Sequence, residues 1–156
     1  MVRAHGGVVS SEEPSDWSVP HLDLVHHGPF ALSPGPGSGP AMGVPVPLFN
    51  LVYHDALFMP WSLDRGVWGI PETDLGFLHG MANAGLPYLS LHPGAEELAR
   101  VKAMCALNRR VGLLEMTGHR FLDASRRRQE TAYGDGTRVT IDLEANTYTV
   151  TPALEK

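Results

Sequence analysis

The spacing of apolar residues changes near Gly112. Before it, short runs of consecutive apolar residues alternate with helical patterns; after it, apolar and polar residues alternate singly. Three runs stand out in the first part. Gly6 to Ser11 (GGVVSS) turns abruptly polar at Glu12-Glu13, Pro47 to His54 (PLFNLVYH) ends at Asp55, and Leu86 to Leu91 (LPYLSL) is weaker. Runs of this kind predict strands buried on both faces of a parallel sheet. Helical spacing lies between and after them. Thr73 is placed to cap a helix with Leu75, Leu78, Met81 and Ala82 on one face, stopped at Asn83-Ala84-Gly85. The clearest helix runs from Ala95 to Val111, with Glu96-Glu97 in the first turn and Arg109-Arg110 in the last, the charge order that the helix dipole favours. Leu98, Val101, Cys105 and Leu107 or Asn108 follow its period, and Gly112 fits a left-handed residue just beyond its end. Cys105 is therefore expected as a small buried hydrophobe.

The tail reads as β-structure. Gln129 to Tyr133 and Thr137 to Leu143 flank the turn Gly134-Asp135-Gly136, with Val139, Ile141 and Leu143 on one face and Arg138, Thr140 and Asp142 on the other. Glu144-Ala145-Asn146 makes the next turn into Thr147 to Val150. Leu113 to Thr117 and Arg120 to Leu122 bring the expected total to four or five antiparallel strands. Such a sheet is too small for a whole sandwich, so its other half is expected to come from elsewhere or to be missing. Arg126-Arg127-Arg128 fits a solvated guard on an edge strand.

Composition narrows the class. The chain has 156 residues, 43% hydrophobic and 19% charged, with 12 Lys and Arg against 17 Asp and Glu and a formal net charge of -5. That balance argues against a nucleic-acid partner and against a polybasic membrane anchor. A single cysteine excludes an internal disulfide and a four-cysteine zinc site. No segment approaches the roughly 20 apolar residues of a membrane span. Met1 to Gly7 has no apolar signal core, which leaves cytoplasmic and secreted locations both open. Pro29 to Pro47 holds six Pro and four Gly and predicts a long irregular loop, either a functional lid or a plain surface insertion.

Carboxylates follow two of the apolar runs, Glu12-Glu13 and Asp55. Residues just past the ends of buried parallel strands line active sites in β/α barrels, and paired carboxylates are the equipment of glycoside hydrolysis. The same acids serve equally as helix caps or solvated surface groups. Trp17, Phe30, Tyr53, Phe58, Trp61 and Trp68 gather near these ends. They suit a shelf against the C–H faces of a sugar, and they also suit core packing. The histidines form no paired metal motif, and adjacent His26-His27 diverge; a mononuclear site from His54, Asp55 and a distant histidine is the metal alternative. No metal or cofactor is expected on the main reading.

The motifs Ser11-Glu12, Asp16-Trp17-x-Val19-Pro20 and Pro45-Val46-Pro47-Leu48-Phe49-x-Leu51-Val52-Tyr53-His54-Asp55 occur in order. Asn108-Arg109, Met116-Thr117-x-His119-Arg120-Phe121-Leu122, Gln129-Glu130-Thr131 and Tyr133-Gly134-Asp135-Gly136-Thr137-x-Val139 follow them. Together they resemble bacterial glycosidase-like proteins related to the endo-α-N-acetylgalactosaminidases of glycoside hydrolase families 101 and 129. The resemblance implies an α/β then β architecture: residues 1–111 as the last strands of a (β/α)8-type barrel, and 112–156 as an antiparallel β domain, a partial β-sandwich. It implies a retaining hydrolase with Glu12 as general acid/base, holding its proton until the leaving oxygen departs. Asp16, Trp17, Tyr53, His54, Asp55 and Trp61 are expected to bind the carbohydrate substrate. The family's Asp nucleophile lies on an earlier strand, and only 11 residues precede Glu12. A barrel needs about 250 residues, so the chain is expected to be the C-terminal portion of a longer enzyme, partnered by a missing N-terminal barrel portion. The alternative is a non-catalytic carbohydrate-binding or assembly module that uses Trp17, Trp61 and Trp68 and is indifferent to Glu12→Gln.

Overall fold

In the computed structural model, residues 3–12, 15–26, 44–61, 63 and 76–155 are described. Most of the Pro29–Pro47 loop, and Glu13, Phe30, Trp68, Thr73 and Leu75, lie outside the described residues.

The first part is a series of short parallel pairings. Strand β1 (Ser10–Ser11) pairs with β2 (Leu24–Val25), Ser10 opposite Leu24. The connection between them contains a 3₁₀ segment, Asp16–His21, whose start is closed by a reciprocal capping box between Ser15 and Ser18. Leu24 bridges in parallel to Phe58, with Val25 N–H donating to the Phe58 carbonyl and Phe58 N–H to that of Asp23, each at 3.0 Å. Helix α1 (Leu48–Tyr53) precedes that bridge, and β3 (Pro60–Trp61) follows it. Helix α2 (Gly76–Ala82) leads to β4 (Leu86–Pro87), which pairs in parallel with β3.

The expected strand Pro47 to His54 is therefore a helix. Phe49 and Asn50 are buried while Leu48 and Val52, one turn apart, are exposed, so a helical period was hidden in a continuous apolar run. Asn50 survives inside because its amide donates to the Asn83 backbone carbonyl at 3.2 Å and to its Oδ1 at 2.9 Å. The strand comes later, at Phe58 to Trp61. The runs at Gly6 and Leu86 each yield only two strand residues.

Helix α3 spans Ala95–Val111, the bounds expected. Its buried face is Met104, Leu107 and Val111, whereas Leu98 and Cys105 are exposed. The expected stripe was rotated: the side chains that enter the core shared with α2 and β3 are Met104, Leu107 and Val111. Gly112 is right-handed (φ -60, ψ -17) rather than left-handed. Glycine is needed there for space: a Cβ would lie 2.5 Å from the Asn108 carbonyl oxygen. Helix α2 does stop at Asn83-Ala84-Gly85, with Ala84 taking the left-handed φ of 46 and Gly85 lying too close to the Trp61 ring for a side chain.

The second part is a four-stranded antiparallel sheet in the order β5 (Met116–Phe121), β6 (Arg128–Tyr133), β7 (Arg138–Asp142), β8 (Thr147–Thr151). Leu113 to Thr117 and Arg120 to Leu122 are not separate strands: one strand runs through, with a bulge between Met116 and Gly118. Gly136 takes the positive φ of 85 that the β6–β7 turn requires, and Asp135 accepts from the Thr137 N–H at 2.8 Å. Gln129, Thr131, Tyr133, Val139, Ile141 and Leu143 form the buried face. Among the described residues α2 lies against this face, in the place that the other half of a sandwich would take. Tyr133 Oη donates to the Ala82 carbonyl at 3.1 Å, tying sheet to helix. Trp61, Leu78, Met81, Met104, Leu107, Met116, Tyr133, Val139 and Ile141 share one core.

Candidate functional site

Parallel pairing decides which side chains gather, because the C-terminal ends of β1, β2 and β4 share one edge. Glu12 follows β1 directly and is exposed; His26 follows β2; Tyr88 follows β4. His26 Nδ1 lies 3.2 Å from Tyr88 Oη, so the ends of β2 and β4 meet through side chains. The 3₁₀ segment after Glu12 opens with Asp16 and Trp17. Tyr53, at the end of α1, donates its hydroxyl proton to Asp16 Oδ1 at 3.0 Å, fastening that segment to the helix. The Asp16 carboxylate in turn holds the Tyr53 phenol above its ordinary pKa. Trp17 is 79% exposed, a flat apolar face turned to solvent beside this polar pair. Exposed Trp faces beside carboxylates suit sugar C–H surfaces, since the ring supplies the apolar contact and the acids take hydroxyl protons.

Two expected site residues belong to the core instead. Trp61 has no exposed surface, and its indole N–H donates to the Gly76 carbonyl at 2.8 Å. Gly80 and Gly85 crowd it so closely that a Cβ at either would lie 2.8 Å from the Trp61 side chain, leaving no face for a sugar. His54 is 5% exposed; its Nδ1 is 2.7 Å from the Leu114 carbonyl and its ring centroid 5.1 Å from that of Tyr133. Burial lowers its pKa and keeps it neutral. It links the end of α1 to the start of the sheet. Asp55 is exposed, but it follows a helix and not a strand, so the reasoning that put it at a strand mouth does not apply. Trp68 lies outside the described residues.

Sequence reasoning missed His26 with Tyr88. The signal was present in part: His26 stands right after an apolar pair, as Glu12 does, but the Leu24–Val25 strand is too short to be read as a run. Among the described residues no group of three or more His, Cys, Asp or Glu is arranged to hold a metal ion. No helix among them is long and apolar enough to cross a membrane.

No family model matches the chain, and no curated protein matches it. Solved structures do. The ligand-free α-N-acetylgalactosaminidase NagBb from Bifidobacterium bifidum superposes with a TM-score of 0.77 and 39% identity over 95% of this chain. The chain resembles part of a glycoside hydrolase. Its likeness to the GalNAc complex of the same enzyme has a TM-score of 0.79 with 37% identity over 96% of the chain, and to the Gal-NHAc-DNJ complex 0.79 with 34% over 97%. The chain spans about a quarter of that enzyme's length, between 24% and 26% in these superpositions. An α/β part followed by an antiparallel sheet is thus shared with a carbohydrate-active enzyme.

Proposed function

We propose that this chain forms part of a retaining α-N-acetylgalactosaminidase-type glycoside hydrolase of the group of families 101 and 129. In this reading residues 1–111 are the last strands of a (β/α)8-type barrel and 112–156 its β domain. The observation that carries it is the similarity over nearly the whole chain to an enzyme solved with GalNAc. Glu12 is the general acid/base, and its position directly after β1 supports the role, since that edge is where a barrel presents its catalytic groups. Asp16, Trp17 and Tyr53 form one wall of the sugar surface: Trp17 stacks on the ring and the Asp16–Tyr53 pair takes hydroxyl groups. The nucleophile is an Asp on a strand of a second portion, which is also the macromolecular partner. Protonation of the departing oxygen by Glu12 and attack by that Asp then give a glycosyl-enzyme, which water opens with Glu12 as base.

The test pairs two measurements: titration of the chain with GalNAc, and, with the complementing portion that carries the Asp present, release of nitrophenol from p-nitrophenyl α-N-acetylgalactosaminide. GalNAc binding is expected to persist in Glu12→Gln, with steady-state nitrophenol release in that variant cut by about a hundredfold or more, because water then lacks its base in opening the glycosyl-enzyme. Absence of GalNAc binding, or release unchanged by Glu12→Gln, contradicts the proposal. The exposure of Trp17 also favours a second reading, a binding module without catalysis. That reading keeps GalNAc binding and shows no hydrolysis even with a complementing portion present.

A further inference from the structure

The outer face of the antiparallel sheet carries a second cluster, separate from the Glu12 edge and independent of the reading given to it. Gly118 stands opposite Ala132 on β5 and β6, and the bulge next to Gly118 bends the strand there. Neither residue has a side chain long enough to fill the sheet surface, and a groove of about 160 Å³ opens over them. Glu130, opposite Arg120 and beside Arg138, forms its wall. All the described contacts converge on one oxygen: Arg120 Nε and Nη2 donate to Glu130 Oε1 at 2.9 and 2.8 Å, and Arg138 Nη1 donates to it at 2.9 Å. The Glu130 side chain is 12% exposed, while Arg120 is 65% and Arg138 54% exposed.

Two guanidinium groups therefore share one carboxylate, which leaves a unit of positive charge at the groove and further N–H donors directed away from Glu130. This occurs on a chain whose net charge is -5. Glu130 fixes both guanidinium forks from the side, which reduces the rotamer freedom that a ligand would otherwise have to freeze. The lining offers no Trp, Tyr or Phe, and its one aromatic ring, His119, is engaged with Gln129 and Phe121 instead, so it lacks the broad stacking face that suits a neutral sugar. Its size suits one monosaccharide ring, and its charge requires an oxyanion on that ring.

We infer that this groove binds a sugar carboxylate, with the Arg120 and Arg138 forks holding the carboxylate and the ring lying over Gly118 and Ala132. The same fork chemistry also accepts an inorganic oxyanion, and the test separates the two. Titrations of the folded chain use glucuronate, galactose and sulfate as probes, followed by amide shifts on β5, β6 and β7. Gly118→Leu fills the groove; a Cβ at Gly118 meets nothing within 4 Å and its φ is not in the left-handed region, so the variant has room to fold. Glucuronate is expected to bind at least tenfold more tightly than galactose or sulfate, and Gly118→Leu and Arg138→Gln are each expected to weaken it at least tenfold. Should Arg138→Gln lower the melting temperature, Gly118→Leu decides alone. Glucuronate that does not bind, sulfate or galactose that equals it, or binding untouched by Gly118→Leu overturns the inference.

Discussion

Two kinds of strand pairing share one core. In the sheet from Met116 to Thr151, each strand of five or six residues pairs with its neighbour in sequence through a short turn. In the part from Ser10 to Pro87, the pairs are two residues long, parallel, and separated by whole connections. Local antiparallel pairing closes small loops and gains many ladder bonds for each. The parallel part gains few, so side chains must hold it. Trp61, Val25, Leu57 and Met59 do this, all buried from a stretch where the backbone contributes little.

That contrast can be broken most severely at Trp61. Trp61→Ala should destabilise the chain by about 3–5 kcal/mol, measured by urea unfolding, with amide protection falling first around Met59 and Leu86. Acid comes next. His79 is buried and its pKa is lowered to about 4, so it is neutral in the folded state. The unfolded chain, with a histidine pKa of about 6.5, binds the extra proton first. Stability should therefore be undiminished at neutral pH and fall as pH drops from about 6.5 towards 4, by up to about 3 kcal/mol at roughly 1.4 kcal/mol per pH unit. Buried His54 adds to the fall in the same direction. His79→Gln should flatten the slope in unfolding curves taken between pH 7 and 4.

Smaller effects sharpen the comparison. Gly80 faces Trp61 and Met104 so closely that a Cβ would lie 2.8 and 2.6 Å from them. Gly80→Ala should cost about 1–3 kcal/mol by overpacking, read as a lower urea midpoint with an unchanged slope. Trp17→Ala should move stability by no more than about 0.5 kcal/mol, since the ring is in solvent, while weakening GalNAc binding. A tryptophan that is 79% exposed and one with no exposed surface thus test the proposed sugar surface and the stability separately in the same chain.

The sheet was legible because its signals are local. The alternation at Val139, Ile141 and Leu143 gives the buried face, and Gly136 marks the turn. The Ala95–Val111 helix was bounded correctly by its end charges, but its face was misread, since Met104 is a core residue and Cys105 is not. The parallel part was poorly legible for a physical reason: two-residue strands carry no period, and the run Pro47 to His54 was apolar enough to suit either a strand or a helix. That error moved Asp55 to a strand end it does not occupy. Glu12 was placed at a strand end and lies at one, while His26 and Tyr88 come together only through pairing between distant segments.

Trp17 as a sugar-stacking surface is tested most directly by the indole N–H resonances of the 15N-labelled chain during titration with GalNAc. The Trp17 signal should move to saturation, and the Trp61 signal, locked to the Gly76 carbonyl, should stay in place. A Trp17 resonance that does not move at tens of millimolar GalNAc would contradict the proposed sugar surface.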